Sequence, residues 1–338
     1  MTSQKLRAGV IGCGLGASHG YAYSQADKFE LVAICDIKSE VIEAFFERSK
    51  IERGSVREYM DYQKMLEIEK LDVVSVATPD DHHTNPVCDA SDAVVKGIFC
   101  EKPLTTSLKD ADRIIETIER NGTKMSVDHT RSWVPVYQSV RQAIREGQIG
   151  NLTRVVAHMG GSRSMLFRNG THLIDGICYF ADSDPVWVIA AHEKGFEDYG
   201  TEYKGEGGKD PSLDPASTLI IEFENGIRGF YNAIKESYPS APSLRITGSS
   251  GQIEFSLQGG SALMTIANPV TNESSVQQIH PDSFQTANYV AGYEEMITLI
   301  ENGGVGIGPG EQAKWVVQIL VGFLDSQNQG SKLVKVRK

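Results

Sequence analysis

The stretch Val10-Ile11-Gly12-Cys13-Gly14-Leu15-Gly16-Ala17 decides how this chain is read. It joins a strand-like run, Lys5 to Ile11, to a segment of helical character, Leu15 to Ala26. A second apolar run, Phe29 to Ile34, follows, and Asp36 closes it roughly twenty residues beyond the glycines. That arrangement is a dinucleotide-binding fingerprint, and each part has a physical task. Gly12 permits the tight turn out of the strand, and Gly14 leaves the backbone bare where a pyrophosphate must approach. Ala17 is small enough for helix and strand to pack closely. The helix N-terminus offers unpaired N–H groups and the positive end of its dipole. Asp36 stands where a ribose hydroxyl pair needs an acceptor, and its charge repels a 2′-phosphate. NAD is therefore expected over NADP, although Lys38 leaves room for dual use.

Working outward, Lys38 to Lys50 reads as a helix, with Val41, Ile42, Phe45 and Phe46 at helical spacing. Tyr59 to Ile68 reads as a further helical piece. Asp72 to Ala77 has the branched apolar content of a buried parallel strand, ended by Thr78-Pro79 because proline cannot donate to the ladder. Pro86 to Lys96 reads as a helix stopped by Gly97, and Ile98 to Cys100 as a short strand running into Glu101-Lys102-Pro103. Ser107 to Asn121 is a capped amphipathic helix ending at Gly122, and Lys124 to Val127 a last strand. The alternation predicts a doubly wound parallel sheet, with ligands at the carboxyl ends of its strands.

Beyond residue 127 the pattern changes. Val136 to Glu146 and His172 to Phe180 read as helices, Leu152 to Gly160 as a strand, and Arg168 to Thr171 as loop. After Trp187 strands dominate. Thr218 to Phe223 and Ile227 to Ala233 flank Asn225-Gly226, a strong hairpin signal. Leu244 to Thr247 and Gln252 to Phe255 flank Gly248 to Gly251, Leu263 to Ala267 is another candidate strand, and Glu311 to Asp325 a late helix. Glu197 to Pro215 reads as a long polar surface loop. The expected fold class is α/β. Residues 1–127 form a Rossmann domain, and residues 128–338 an α+β domain with a largely antiparallel open sheet.

At 338 residues there is material for two cores, and a net charge of −11 disfavours nucleic acid and anionic membrane as partners. No apolar run reaches the length of a membrane span, and Met1 to Leu6 leads straight into the first strand, so a cytoplasmic protein is expected. Five cysteines without a Cys-x-x-Cys pair read as reduced thiols, Cys13 and Cys35 among them as small packing residues. No metal is expected, since no metal-ligand spacing is visible.

Lys102 sits at the end of a parallel strand on the cofactor side. Desolvation and neighbouring charges there would let it act as an acid or base near neutrality. Its bland alternative is a surface lysine. His172 opens a helix after a loop, with Asp175 one turn on to hydrogen-bond a ring nitrogen or satisfy the helix N-terminus. A lone histidine is more often structural, and His82 and His83 are ambiguous in the same way.

Together these residues resemble the Gfo/Idh/MocA family of sugar and cyclitol oxidoreductases, nearly end to end. The resemblance rests on the Gly12/Gly14/Ala17 turn with Asp36, Thr78-Pro79 with His83 four residues on, and Glu101-Lys102-Pro103. It continues through Arg131-Ser132-Trp133, His172-x-x-Asp175 and the Gly248–Gly251 turn. It implies that Gly12, Cys13, Gly14, Leu15, Gly16, Asp36, Ile37, Thr78, Pro79, His83, Glu101, Lys102 and Arg131 contact the cofactor. It also implies a nicotinamide lying between the domains, Lys102 and His172 as the acid/base group at the reacting carbon, and a homodimer or homotetramer built on the open sheet.

One departure matters. Family members commonly carry an aspartate four residues before the catalytic histidine, where this chain has Arg168. A guanidinium would oppose the charged form of Lys102, stabilise a developing alkoxide, or bind an anionic carbohydrate together with Arg163 and Arg131. The loop could also turn Arg168 to solvent. The resemblance thus points to a dehydrogenase acting on a secondary hydroxyl of a sugar, sugar acid or cyclitol. A redox-neutral enzyme that oxidises a sugar transiently, or a non-enzymatic sugar sensor, are the alternatives on the same scaffold.

Overall fold

The structure is a computed structural model that describes residues 5–337, apart from 204–209, 238–241, 257–259, 269, 272 and 282–287. The chain divides into two compact units, residues 1–130 with 286–314, and residues 131–285 with 315–338.

The first unit alternates strand and helix: β1 (Leu6–Ile11), α1 (Cys13–Gln25), β2 (Phe29–Cys35), α2 (Ser39–Ser49), β3 (Arg57–Tyr59), α3 (Tyr62–Glu69), β4 (Val73–Val76), α4 (Thr84–Asp92), β5 (Gly97–Cys100), α5 (Leu108–Asn121) and β6 (Lys124–Val127). Its six strands are all parallel, in the order β3-β2-β1-β4-β5-β6. That order reverses direction between β1 and β4, the place where doubly wound sheets open a crevice for a ligand. The central strands are apolar on both faces because helices cover both, and β4 and β5 are buried along their whole length. Helix α5 follows its sequence signals closely. Ser107 Oγ accepts the Asp110 N–H as N-cap, and Gly122 closes the helix in the left-handed region.

Three expectations for this unit needed correction. Arg57–Tyr59 is strand β3 where a helix was expected from Tyr59, because edge pairing to β2 outweighs local propensity over so short a run. Gly97 is the first residue of β5 and does not stop α4, which ends four residues before it at the Ala93 cap. Glycine at 97 leaves room for a neighbour, since a Cβ there would lie 2.6 Å from Met296 Sδ and displace that side chain. That methionine belongs to α8 (Asn288–Asn302), which packs in the first unit although it follows the second-unit strands in sequence. A single break after residue 127 therefore does not describe the chain. The segment returns because Tyr293, fully buried, fills a gap among Tyr23, Phe29 and Phe99, with ring centroids 4.2, 5.7 and 4.8 Å away. Burying such a ring stabilises the fold by roughly 2–3 kcal/mol.

The second unit contains α6 (Pro135–Arg145), β7 (Leu152–Gly160), α7 (Thr171–Ala181), β8 (Pro185–His192), β9 (Ser217–Phe223), β10 (Arg228–Ile234), β11 (Ser243–Gly248), β12 (Gly251–Ser256), β13 (Ala262–Ala267) and β14 (Ser274–Ile279). The late helix α9 (Gly310–Asn328) and β15 (Val334–Lys335) complete the elements. The sheet order is β14-β13-β12-β11-β7-β10-β9-β8-β15, and only the β7–β10 pair is parallel. The β9–β10 hairpin turns at Gly226, whose φ of 81° suits glycine. Strands β14 and β15 carried no readable signal, β14 being mostly exposed and β15 two residues long. The residues expected to be loop before α7 are wound: Leu166–Gly170 forms one π-helical turn leading directly into it. Of the long polar loop from Glu197, residues 204–209 lie outside the described residues. No helix among the described residues is long and apolar enough to cross a membrane.

Candidate active site

The turn after β1 shows why each glycine is there. Gly12 has φ 91°, and a Cβ on it would lie 2.5 Å from the Ala77 carbonyl at the end of β4. Gly14 has nothing within 4 Å of a Cβ, so its backbone faces open space. A Cβ on Gly16 would lie 2.6 Å from Val10 Cγ1, so Gly16 shares the packing role that the sequence gave to Ala17. The N-cap of α1 has no side-chain cap and its first turn has no acidic residue, which leaves a helix N-terminus suited to a phosphate. Asp36 accepts the Cys13 N–H at 2.9 Å and the Lys38 N–H at 3.0 Å, tying the turn after β2 to the glycine turn. Leu15 and Ile37 carry exposed apolar side chains beside these turns, 36% and 78% exposed. This set fits a dinucleotide: bare backbone, a dipole end, a carboxylate and two apolar covers. Cys13 and Cys35 are buried, and burial first, then the Asp36 charge, pushes both thiols up, Cys35 to about 12. They are packing residues at neutral pH.

At the end of β5, Glu101, Lys102 and Pro103 are all buried, Lys102 being 7% exposed. The Lys102–Pro103 peptide bond is cis. His83 is fully buried, and its ring braces two turns: Nε2 lies 3.0 Å from the Thr78 carbonyl oxygen and Nδ1 2.9 Å from that of Pro103. Thr78 and the exposed Pro79 end β4 beside it, and Thr78 Oγ1 donates to the His82 carbonyl. Sequence reasoning missed a polar cluster around Glu101. His19 of α1 approaches it at 3.4 Å, Tyr289 of α8 donates to it at 3.2 Å, and Asp128, just past β6, lies beside it. Asp128 was findable, since it stands at the carboxyl end of a parallel strand, where such folds place ligand-facing groups. Tyr289 gave no signal, because α8 itself was unread.

In the second unit, the π-helical turn carries Arg168, and His172 is the second residue of α7. Both are half-buried. Arg163 is exposed in the preceding turn, where its carbonyl accepts from Asn169 Nδ2, and Arg131 is half-buried in the short turn Thr130–Trp133. Asp175 is buried and accepts from Ser132 Oγ at 2.8 Å, which joins that turn to α7. The π-helical turn is held by residues the sequence left in a polar loop: Asp214 Oδ1 accepts the Phe167 N–H at 3.1 Å, and the Pro215 carbonyl accepts that of Leu166 at 2.9 Å. Asp214 is fully buried. Burial raises it to about 6, and its backbone hydrogen bonds hold it below where burial alone would put it. Gly170 is fixed by space, since a Cβ would meet Tyr231 Oη at 2.5 Å.

A parallel sheet of this order, with a bare glycine turn and a carboxylate at the next strand end, defines a dinucleotide-binding protein. Residues 6–129 match the profile of the GFO_IDH_MocA oxidoreductase family with NAD-binding Rossmann fold, and residues 137–254 that of the GFO/IDH/MocA C-terminal domain. The chain belongs to the Gfo/Idh/MocA oxidoreductase family, and NAD is its cofactor. It is 36% identical to D-apiose dehydrogenase of Paraburkholderia graminis over 150 residues, 44% of this chain and 39% of that protein. It is 28% identical to D-glucoside 3-dehydrogenase of Escherichia coli over 249 residues, 67% of this chain and 69% of that protein. Its fold superimposes with a TM-score of 0.82 on levoglucosan dehydrogenase in complex with NADH and L-sorbose. There the identity is 18%, covering 99% of this chain and 100% of that one.

Proposed function

We propose that the protein is an NAD-dependent dehydrogenase that oxidises a secondary hydroxyl of a sugar, sugar acid or cyclitol, with Lys102 and His172 as its acid/base group. The observation that carries this reading is the burial of Lys102 at the end of β5, on the strand-end side of a sheet whose glycine turn fits a dinucleotide. A lysine in that setting is there for chemistry more often than for solubility. Bound NAD supplies the hydride acceptor. The chain supplies the rest: Gly12 to Gly16 hold the pyrophosphate, Asp36 the adenosine ribose, and Lys102 Nζ takes the hydroxyl proton. His172 orients the hydroxyl and shares its proton. Curated relatives named as sugar dehydrogenases support the substrate class. Arg168 replaces a family carboxylate and favours an anionic substrate, because a guanidinium recognises carboxylate or sulfonate in a planar fork.

The test is nicotinamide reduction with NAD⁺ and a panel of neutral sugars, cyclitols, uronates and sulfosugars. Lys102→Ala is expected to lower kcat by at least about 10³-fold while leaving NAD affinity within about threefold. Arg168→Ala should lose only anionic substrates. Full turnover in Lys102→Ala would remove the assignment, and tightly retained NAD without net reduction would favour a redox-neutral enzyme.

The same reading includes a homo-oligomer. Val156, Phe230 and Ile220 stand side by side across β7, β10 and β9, half-exposed on the face opposite α7. An apolar row of this kind favours a covered sheet. Sedimentation at a molecular mass of one chain would remove that part of the reading.

A further inference from the structure

Glu101 and Asp128 raise a question that the dehydrogenase reading does not answer. Both carboxyls are buried, 3% and 1% exposed, and they come together with His19 within 4.8 Å. Two carboxylates that close in a dry site do not both ionise. A carboxylate can only accept, so a proton held by one of the two is what would let it donate to the other.

We propose that Glu101 and Asp128 share a single proton, forming one singly charged carboxyl pair next to Lys102 that fixes the protonation of that lysine. The proposal rests on the acid/base reading of Lys102. It makes Asp128 a positioning residue, which acts on the reaction through its neighbours.

The surrounding donors decide where the charge sits. Glu101 receives His19 Nε2 at 3.4 Å and Tyr289 Oη at 3.2 Å on Oε1, and the Lys102 N–H at 3.2 Å on Oε2. Because a carboxylate only accepts, His19 meets it through a proton on Nε2, and in that tautomer Nδ1 accepts from Tyr293 Oη, 2.7 Å away. Tyr293 Oη in turn lies 2.6 Å from Ser75 Oγ, which lies 2.8 Å from Tyr23 Oη. The whole buried row, Tyr23 to Ser75 to Tyr293 to His19, can therefore donate in one direction, ending on Glu101. Among the described residues Asp128 has no such supply. Tyr289 also reaches it, but its Oδ1 is buried without a hydrogen-bond partner. The proton belongs on Asp128 and the charge on Glu101.

The neighbouring groups agree. Burial acts to raise Glu101, against the His19 hydrogen bond and the Lys102 charge, which hold it low. Burial raises Asp128 well above the carboxylate range, and the Glu101 charge adds to it, against the pull of Lys102. Tyr289, which faces both carboxyls, is also pushed up and stays a donor. The consequence for Lys102 is a counter-charge of one, neither zero nor two. A single anion supports its ammonium, whereas a second would hold the proton too firmly for release to a product.

The decisive experiment is infrared difference spectroscopy of the wild-type protein at neutral pH, in H2O and D2O. A carbonyl stretch of a protonated carboxylic acid that shifts on deuteration is expected, and it should vanish in Asp128→Asn. In Glu101→Gln the band should remain, since burial of Asp128 does not depend on its neighbour. Absence of the band in the wild type, its persistence in Asp128→Asn, or a stoichiometric divalent ion between the carboxyls would each overturn the proposal. The wild-type spectrum tests it even if a variant fails to fold. In turnover, Asp128→Asn keeps the one negative charge and should move the Lys102-linked limb of the pH profile by less than about 0.5 unit, whereas Glu101→Gln removes it and should move the limb down by at least about one unit. Equal shifts in the two variants would overturn this placement of the charge. Failure of the underlying acid/base reading looks different: Lys102→Ala would turn over fully while the infrared band stayed in place.

Discussion

The glycine turn of the first unit and the π-helical turn of the second carry candidate site residues, and they are held in contrasting ways. The glycine turn is fixed by neighbouring strand ends: Gly12 N–H to the Cys35 carbonyl at 2.8 Å, Cys13 N–H to Asp36, and Ala77 packed against Gly12. Once the sheet pairs, the turn has nowhere else to go. The turn carrying Arg168 is clamped by the Asp214 side chain, arriving 47 residues later, and by the Pro215 carbonyl beside it, from a segment without regular structure. A sheet-built turn should be stiff and intolerant of added atoms. A turn held by a loop should be adjustable and vulnerable to loss of its clamp.

The strongest way to break this contrast is Gly12→Ala. A Cβ at 2.5 Å from backbone atoms cannot be relieved by a rotamer change, and φ of 91° adds strain. The variant should lose about 3–5 kcal/mol of stability and its NAD affinity with it, read by thermal unfolding and NAD titration. A fold as stable as wild type would show that the strand ends can yield.

Asp214→Ala comes next. It removes the acceptor for the Phe167 N–H inside a fully buried setting, so about 2–3 kcal/mol should be lost. NAD affinity should stay within about threefold while kcat falls roughly tenfold, because the affected turn leads into His172. Equal losses of NAD affinity and turnover would mean that the clamp acts on the whole protein. Gly14→Ala sharpens the first unit's side of the comparison. Its Cβ would meet nothing, so stability should hold within about 0.5 kcal/mol while NAD affinity drops about tenfold. The pair Gly12 and Gly14 thus separates a glycine required by the fold from one required by the ligand.

The same contrast explains what could be read from the sequence. The strands β1, β4, β5 and β6 announce themselves as short apolar runs ended by Gly, Pro or a charged residue, and their ends carry Gly12, Thr78 and Lys102. Local chemistry was enough there. Glu101 was legible as a position, but its partners were not. His19, Asp128 and Tyr289 come from three elements, and Tyr289 lies 188 residues away. In the second unit His172 was legible through a resemblance. Asp214 was hidden among polar residues whose sequence is that of a solvent loop, although it is fully buried. Long-range clamps of this kind leave no periodicity, so only packing reveals them.

The smallest effect concerns pH and sets Asp214 against a neighbour in its own unit. His192 is half-buried, with Nδ1 3.2 Å from Ser217 Oγ, and burial lowers it to about 4 from 6.5. The unfolded chain therefore takes up a proton below 6.5 that the folded chain refuses until about 4, so this group's contribution is present above pH 6.5 and lost as pH falls through that window. Asp214 has the opposite sign. Its folded value of about 6 exceeds the ordinary 3.8, so its contribution is present below 3.8 and lost as pH rises through about 6. Between pH 4 and 6 the two slopes oppose each other. Partial exposure of His192 to water reduces its share to about 1 kcal/mol. In His192→Asn the slope that opposes Asp214 is gone, so unfolding free energies from urea titrations at pH 5 and 7 should differ by about 1 kcal/mol more in favour of pH 5 than in wild type. An unchanged difference would mean that the half-buried imidazole stays hydrated, and that Asp214 alone makes the second unit respond to acid.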